Sequence, residues 1–215
     1  MNLGYISRSG GKSASANAAY IGCATIEEAR TGLVFDYSKK QGLLYQEILA
    51  PEGCPEWVYD DETLWNNVEA FEDYIAQKRF KGHNDPEKNA KSIEAKEKFL
   101  GSCKTAYTAT FALPHEIKDH EHLIELSRRI VKECYVKNGL IAKFAIHLDK
   151  GNPHFHILST TRPWVDGTLG SNAQGPTQVP DRVGEIGGQG FSETRFRIDK
   201  EKLIEIRLLA AEIAN

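Results

Sequence analysis

Lys143-Phe144-Ala145-Ile146-His147-Leu148-Asp149-Lys150-Gly151-Asn152-Pro153-His154-Phe155-His156-Ile157-Leu158 decides the reading of this chain. Gly-Asn-Pro is turn chemistry, since glycine reaches backbone angles that other residues resist and the proline ring fixes its own φ. The apolar residues on either side read as two strands of a hairpin. With the turn centred on Lys150-Gly151, His147 stands opposite His154. Strand alternation then puts His154 and His156 on one face, and all three imidazoles project to the same side. Ile146, Leu148, Phe155 and Ile157 point the other way, into a core. Three neutral imidazoles with room for further ligands suit a catalytic divalent-metal site rather than a closed structural one. The plainer alternative is a set of partly buried histidines flanking a turn.

Composition sets wider bounds. At 215 residues, 40% hydrophobic and 27% charged, the chain is long enough for one domain with a real core. No apolar run approaches the roughly 18 residues of a membrane span. The start, Met1-Asn2-Leu3-Gly4-Tyr5, lacks the basic end and apolar core of a signal peptide. Cys23, Cys54, Cys103 and Cys134 are scattered without a Cys-x-x-Cys pair, so they read as reduced thiols of a cytoplasmic protein. The net charge of −3 argues mildly against a general nucleic-acid binder, but the charges are unevenly placed. Residues 51–77 hold eight acids and no Lys or Arg, whereas 78–104 hold eight bases against four acids. Such asymmetry permits a local polyanion site, or two solvated helix faces of opposite sign.

The hydrophobic pattern predicts α+β: an antiparallel sheet with helices mainly on one face and the active site on the open face. Leu3 to Ser7 reads as a strand, and Ser13 caps a short Ala-rich helix. Residues 33–37 and 43–49 suggest a hairpin joined through 38–42. Asp61 caps a helix running to about Lys78, with Leu64, Trp65, Val68, Phe71 and Ile75 at helical spacing. Glu87 to Leu100 is a second, strongly charged helix with few apolar positions, which suggests a surface insertion. Thr105 to Leu113 is a strand, and His120 to Tyr135 is amphipathic. A Gly-rich stretch from 167 to 190 precedes a last helix over about 199–214.

The N-terminal segment supplies a partner for the histidines. Ser13-Ala14-Ser15-Ala16-Asn17-Ala18-Ala19-Tyr20 is a run of small residues ending in one phenol. Such a helix can lie close to a sheet, with the phenol reaching over it. Tyrosine becomes a competent covalent nucleophile with metal or base assistance, although on the helix alone an ordinary core or surface tyrosine is the plainer reading of Tyr20, one of eight in the chain. Gly10-Gly11-Lys12-Ser13 is not a phosphate-binding Walker loop, because Ile6 stands where its first glycine is required. A pliable backbone beside Arg8 and Lys12 still suits a phosphate.

Four segments carry a resemblance: Ser7-Arg8-Ser9-Gly10-Gly11-Lys12-Ser13-Ala14 running into Ala18-Ala19-Tyr20; Thr31-Gly32-Leu33-Val34-Phe35-Asp36-Tyr37-Ser38; Ile48-Leu49-Ala50-Pro51-Glu52-Gly53-Cys54-Pro55-Glu56-Trp57 continuing to Leu64-Trp65-Asn66-Asn67-Val68-Glu69; and the His-x-Asp-x-x-Asn-Pro-His-x-His run. In these the chain closely resembles the relaxase domain of the MobA/MobL (MobQ-type) mobilisation proteins and the N-terminal region of TraA-type conjugal transfer proteins, within the HUH endonuclease superfamily.

The resemblance implies a single relaxase domain over 1–215, the N-terminal part of a longer transfer protein, with 79–103 as a helical insertion. It implies cleavage of single-stranded DNA at a plasmid origin of transfer by tyrosine attack, giving a reversible 5′-phosphotyrosine link. Tyr20 is then the nucleophile, and His147, His154 and His156 hold Mn²⁺ or Mg²⁺. Glu69 or Glu72, three apart on one helix face, accepts the phenolic proton or orients a ligand, unless both are simple solvated carboxylates. Asp149 orients a histidine by a hydrogen bond or stabilises the turn. Arg8, Lys12, Lys143 and Arg162 are expected to line a DNA channel. Relaxosome accessory proteins and a coupling protein are the implied partners, in the bacterial cytoplasm. A three-histidine hydrolase using bound water and a non-catalytic DNA-binding relic are the competing readings.

Overall fold

The alternation around the histidines places a hairpin at the middle of a sheet. The computed structural model describes residues 2–9, 11–114, 116–149, 152–165, 190–192 and 194–214. In chain order the elements are β1 (Asn2–Ser7), α1 (Ala14–Gly22), β2 (Thr25–Glu28), β3 (Leu33–Asp36), β4 (Leu43–Leu49), α2 (Asp61–Arg79) and α3 (Pro86–Ser102). They continue with β5 (Lys104–Ala112), α4 (His120–Cys134), β6 (Ala142–Asp149), β7 (Asn152–Thr160), β8 (Trp164–Val165), β9 (Gly190–Phe191) and α5 (Lys200–Ala214).

Five strands form one antiparallel sheet in the order β1-β5-β7-β6-β4. Its central pairing sets His147 opposite His154, and β5 sets Thr110 opposite His156. The expected register is the one observed. Phe144, Ile146, Phe155 and Ile157 pack on one face against Leu123, Leu126, Ile130 and Val131 of α4 and Ile206 and Ala210 of α5. Leu148, expected in that core, is near the turn end of the hairpin and is exposed.

The opposite face, shared by Ala145, Leu158 and the histidines, packs against α1 and α2 through Ala14, Ala18, Ala19, Leu64, Trp65, Val68 and Phe71. The fold is thus α+β as expected, but helices cover both faces rather than mainly one. The cause is in the strands, which are apolar on both sides, so each side needs a helical layer. The hairpin expected from 33–37 and 43–49 is corrected as well: β3 pairs with β2, and β4 pairs with β6. Gly32, at a φ of +70°, makes the β2–β3 connection in a region that favours glycine. The charged helix lies on the surface with no buried residue, capped by Asp85 and started by Pro86. The Gly-rich stretch falls outside the described residues apart from Gly190. All four cysteines are free thiols. Among the described residues no helix is long and apolar enough to cross a membrane.

The close approach of α1 is built from small side chains. Ser13 accepts the Ala16 N–H at 3.1 Å as the expected N-cap, and Ala14, Ser15, Ala18 and Ala19 are fully buried. Gly22 is the tightest point, where a Cβ would stand 2.3 Å from Lys143 Nζ and 2.6 Å from Gln46 Oε1. That ammonium cannot step aside freely. It is 1% exposed, donates to the Ala18 carbonyl at 3.2 Å and pairs with Asp61 of α2. Asp61 is available for this because Asp60, not Asp61, caps α2. Burial pushes the Lys143 ammonium below its usual range, and the Asp61 carboxylate offsets part of that. Gly22→Ala is therefore expected to cost about 1–3 kcal/mol, by overpacking and by prising Lys143 from Asp61. Denaturant unfolding checks it, and an unchanged midpoint would show that the helix can lift without loss.

Candidate active site

The three imidazoles meet on the face that α1 partly covers. Ring centroids lie 5.6 Å apart for His147–His154, 5.3 Å for His147–His156 and 4.8 Å for His154–His156. His147 is fully buried and the other two are half-buried, so the cluster opens toward solvent on one side.

Each ring is turned by a protein oxygen. His147 Nε2–H donates to the Ile21 carbonyl at 2.8 Å, one of the carbonyls that a helix C-terminus leaves without an intrahelical partner. His154 Nδ1–H donates to the Asn152 carbonyl at 2.8 Å, and His156 Nδ1 lies 3.1 Å from Thr110 Oγ1. A carbonyl can only accept, so the lone pair of His154 is on Nε2 and that of His147 on Nδ1. The Nε2 atoms of His154 and His156 stand 3.2 Å apart. Two lone pairs at that distance repel, so a proton or a cation has to lie between them. Two nitrogens sharing an ion at ~2.1 Å would stand about 3 Å apart. Outer-nitrogen hydrogen bonds of this kind orient metal-binding histidines. Among the described residues no three His, Cys, Asp or Glu side chains converge closely enough to hold a metal ion together. The Nε2 atoms of His154 and His156 are spaced as two donors to one divalent ion would be, whereas His147 turns its Nε2 to Ile21.

Tyr20 is in the last turn of α1, one residue before the carbonyl that His147 holds, and it is 43% exposed. Its ring meets Tyr37 edge-on at 5.4 Å, and Lys40 Nζ sits 3.8 Å over the ring centroid while donating to the Tyr20 carbonyl at 3.3 Å. The Tyr37–Lys40 turn is itself docked, with Tyr37 N–H on the Ala24 carbonyl and Lys40 N–H on the Tyr37 carbonyl. Sequence reasoning missed Lys40. The Asp36-Tyr37-Ser38-Lys39-Lys40 run shows a turn, but nothing in it says which lysine folds back over α1.

Several expected site residues have other work. Glu69 is buried, accepting the Ala14 N–H at the start of α1 at 2.8 Å and the Arg8 Nε–H at 2.9 Å. It supplies the negative charge that the first turn of α1 lacks. Glu72, also buried, pairs with Arg162 at 2.7 and 3.1 Å and with Arg195 at 2.6 Å. Neither is the solvated carboxylate or poised base of the sequence reading, because both are bound to arginines. Arg8, Lys143 and Arg162 do not line an open channel either. Arg8 also binds Asp73 and the Glu69 carbonyl, Lys143 lies under α1, and Arg162 is 5% exposed. Burial opposes the Arg8 charge, but Asp73 and Glu69 outweigh it and hold the guanidinium above its ordinary pKa. Lys12 is exposed beside α1. The Asp149 side chain lies outside the described residues.

The sequence model of the MobA/MobL family matches residues 12–81 and 73–202. The chain belongs to the MobA/MobL family. Among relatives of this MobA/MobL chain, it is 32% identical over 176 residues to the conjugal transfer protein TraA of Rhizobium radiobacter and 31% identical over 176 residues to TraA of Agrobacterium fabrum. Each alignment covers 77% of this chain and 14% of the relative, so the chain spans a small part of the length of those proteins. A solved structure described as the molecular basis of vancomycin resistance transfer in Staphylococcus aureus shares the fold. It matches 100% of this chain and 89% of its own, with a TM-score of 0.70 at 24% identity.

Glu69→Ala is expected to destabilise this MobA/MobL fold by about 3–5 kcal/mol, because Arg8 is left buried beside a lost partner. Thermal and urea unfolding measure it. A wild-type stability with impaired chemistry would instead give Glu69 a chemical role.

Proposed function

We propose that this chain is the relaxase domain of a plasmid mobilisation or conjugal transfer protein, a strand-specific nickase acting on single-stranded DNA at an origin of transfer. The observation that carries the reading is the hydrogen bond from His147 to the Ile21 carbonyl. It fastens the imidazole cluster to the turn that bears the exposed Tyr20. Family membership and the names of the TraA relatives support the same reading.

In this proposal the Tyr20 oxygen attacks the scissile phosphorus. The phenolic proton passes to solvent at the exposed Tyr20, a Tyr–O–P bond forms, the bond between phosphorus and the 3′ oxygen breaks, and that oxygen leaves as a hydroxyl after taking up a proton from solvent. The reverse attack by the 3′-hydroxyl restores the diester, and because one phosphoester replaces another no nucleotide triphosphate is required. Lys40 and Tyr37 hold the phenol ring, and the Lys40 ammonium offsets negative charge where nucleophile and phosphate meet. His154 and His156 through Nε2, with His147 beside them, would hold Mn²⁺ or Mg²⁺, which supplies a Lewis acid for a non-bridging phosphate oxygen. Relaxosome accessory proteins, a coupling protein and a bacterial cytoplasmic setting belong to the same proposal.

Tyr20→Phe is expected to abolish cleavage and the covalent adduct while leaving single-stranded DNA affinity within about threefold, since only the attacking oxygen is lost. The assay is incubation with origin oligonucleotides and Mn²⁺ or Mg²⁺, resolved on a denaturing gel. Cleavage retained in this variant but lost in His154→Ala would replace the nickase with a three-histidine hydrolase.

His154→Ala and His156→Ala should each weaken Mn²⁺ binding by about 100-fold or more and slow cleavage correspondingly, with little change in melting temperature. Calorimetry that finds wild-type Mn²⁺ affinity in both variants would remove the metal from this reading.

A further inference from the structure

Of the cations expected beside the histidines, Arg8, Lys143 and Arg162 are buried in ion pairs, and a group of exposed cations gathers elsewhere. At the end of the sheet where β5 begins, a cleft of about 640 Å³ is lined by Arg79 of α2, Phe99 of α3, Lys104 and Tyr107 of β5, and Arg195 and Arg197 of the segment before α5. Arg79, Lys104 and Arg197 are exposed. The lining holds one acid, Asp199, against five basic side chains once Arg162 is included. Two of those five, Arg162 and Arg195, pair with the buried Glu72 beneath, and the cleft still keeps an excess of positive charge. The walls are fixed: Tyr107 donates its hydroxyl to the Phe196 carbonyl at 2.7 Å, the Phe196 N–H bonds the Thr161 carbonyl at 2.8 Å, and Phe99 packs on Phe80 at 5.7 Å. Tyr5, 52% exposed on the edge strand, lies next to the cleft with Lys104 Nζ 3.8 Å over its ring. Fixed cations interleaved with aromatic rings are the makings of a single-stranded nucleic-acid groove, where phosphates meet the charges and bases meet the rings. One wall comes from the insertion, whose charged helix buries nothing of its own.

We propose that this cleft binds the phosphate backbone of single-stranded DNA at a second place, remote from the histidines. Lys104 opens β5 and Ala112, opposite His154, closes it. Eight residue steps at ~3.3 Å put the cleft about 26 Å from the histidine end. At ~3.4 Å per nucleotide of stacked strand that is roughly eight nucleotides. The cleft thus holds a flank of the strand and leaves the scissile phosphate to the histidine end. The inference takes its ligand class from the proposed relaxase reading, but binding tests it without cleavage.

The probe is a labelled oligo-dT of about 30 nucleotides, titrated with the full chain by fluorescence anisotropy at several salt concentrations. In the triple variant Arg79→Gln, Lys104→Gln, Arg197→Gln, the log–log salt slope should fall by about 2, at ~0.7 per lost cation, with at least tenfold weaker binding at low salt. A charge-matched control, Lys118→Gln, Lys132→Gln, Lys137→Gln on and around α4, should keep the wild-type slope. Lys104→Gln and Arg197→Gln alone, each lowering the slope by about 0.7, serve if the triple variant melts early. A wild-type slope in the cleft variants overturns the proposal, as does an equal loss in the control. Binding of polyglutamate but not oligo-dT through the same residues also overturns it, in favour of an acidic protein surface. His154→Ala should keep the wild-type slope. Cleavage that fails while the cleft dependence holds therefore counts against the relaxase reading alone, and the reverse result counts against this inference alone.

Discussion

The arrangement depends on how closely α1 can lie on β6. Apart from Ile21 its buried residues are alanine, serine and glycine, and Ala145 of β6, small in turn, belongs to the same buried cluster. This short separation lets a strand histidine reach a helix carbonyl and lets Lys143 stretch beneath the helix to Ala18 and Asp61. A helix carrying leucines there would stand ångströms further out, and both bonds would be lost. Tyr20 inherits its position from this contact, because the carbonyl that His147 holds belongs to the next residue.

Buried charge fixes the remaining geometry. Lys143–Asp61 ties β6 to α2, Arg8–Glu69–Asp73 ties the segment after β1 to α2, and Arg162–Glu72–Arg195 ties the end of β7 and the segment before α5 to the same helix. Buried pairs of this kind add little net stability over apolar packing. What they add is register: a carboxylate that must meet a particular guanidinium leaves α2 one rotation about its axis and one height along the sheet.

The histidine hairpin was legible in the sequence because its signals are local. Alternation gives the face, the turn residues give the register, and the two together bring His147 opposite His154. The Ser13 cap and the buried face of α4 were legible for the same reason. Partners far apart along the chain were not. Nothing within a few residues of Glu69, Arg8 or Lys143 says that each will be paired and buried, and a charged residue read alone defaults to solvent. The β2–β3 pairing was hidden because Thr25-Ile26-Glu27-Glu28 is a weak strand signal, whereas 43–49 looked a better partner for 33–37. The rotation of Lys40 over Tyr20 is likewise tertiary, set by the docking of its turn on Ala24.

The bond between His147 and Ile21 spans 126 residues, and the one between Lys143 and Ala18 spans 125. Contacts of such sequence separation form late, since the loop must close before they return anything. A nine-residue helix has little stability of its own in water. On a nascent chain, α1 emerges long before the strand that holds it, and its phenol stays unpositioned until β6 has been synthesised and paired. The placing of Tyr20 beside the histidine hairpin is in this way a late product of folding, set only when β6 has joined the sheet.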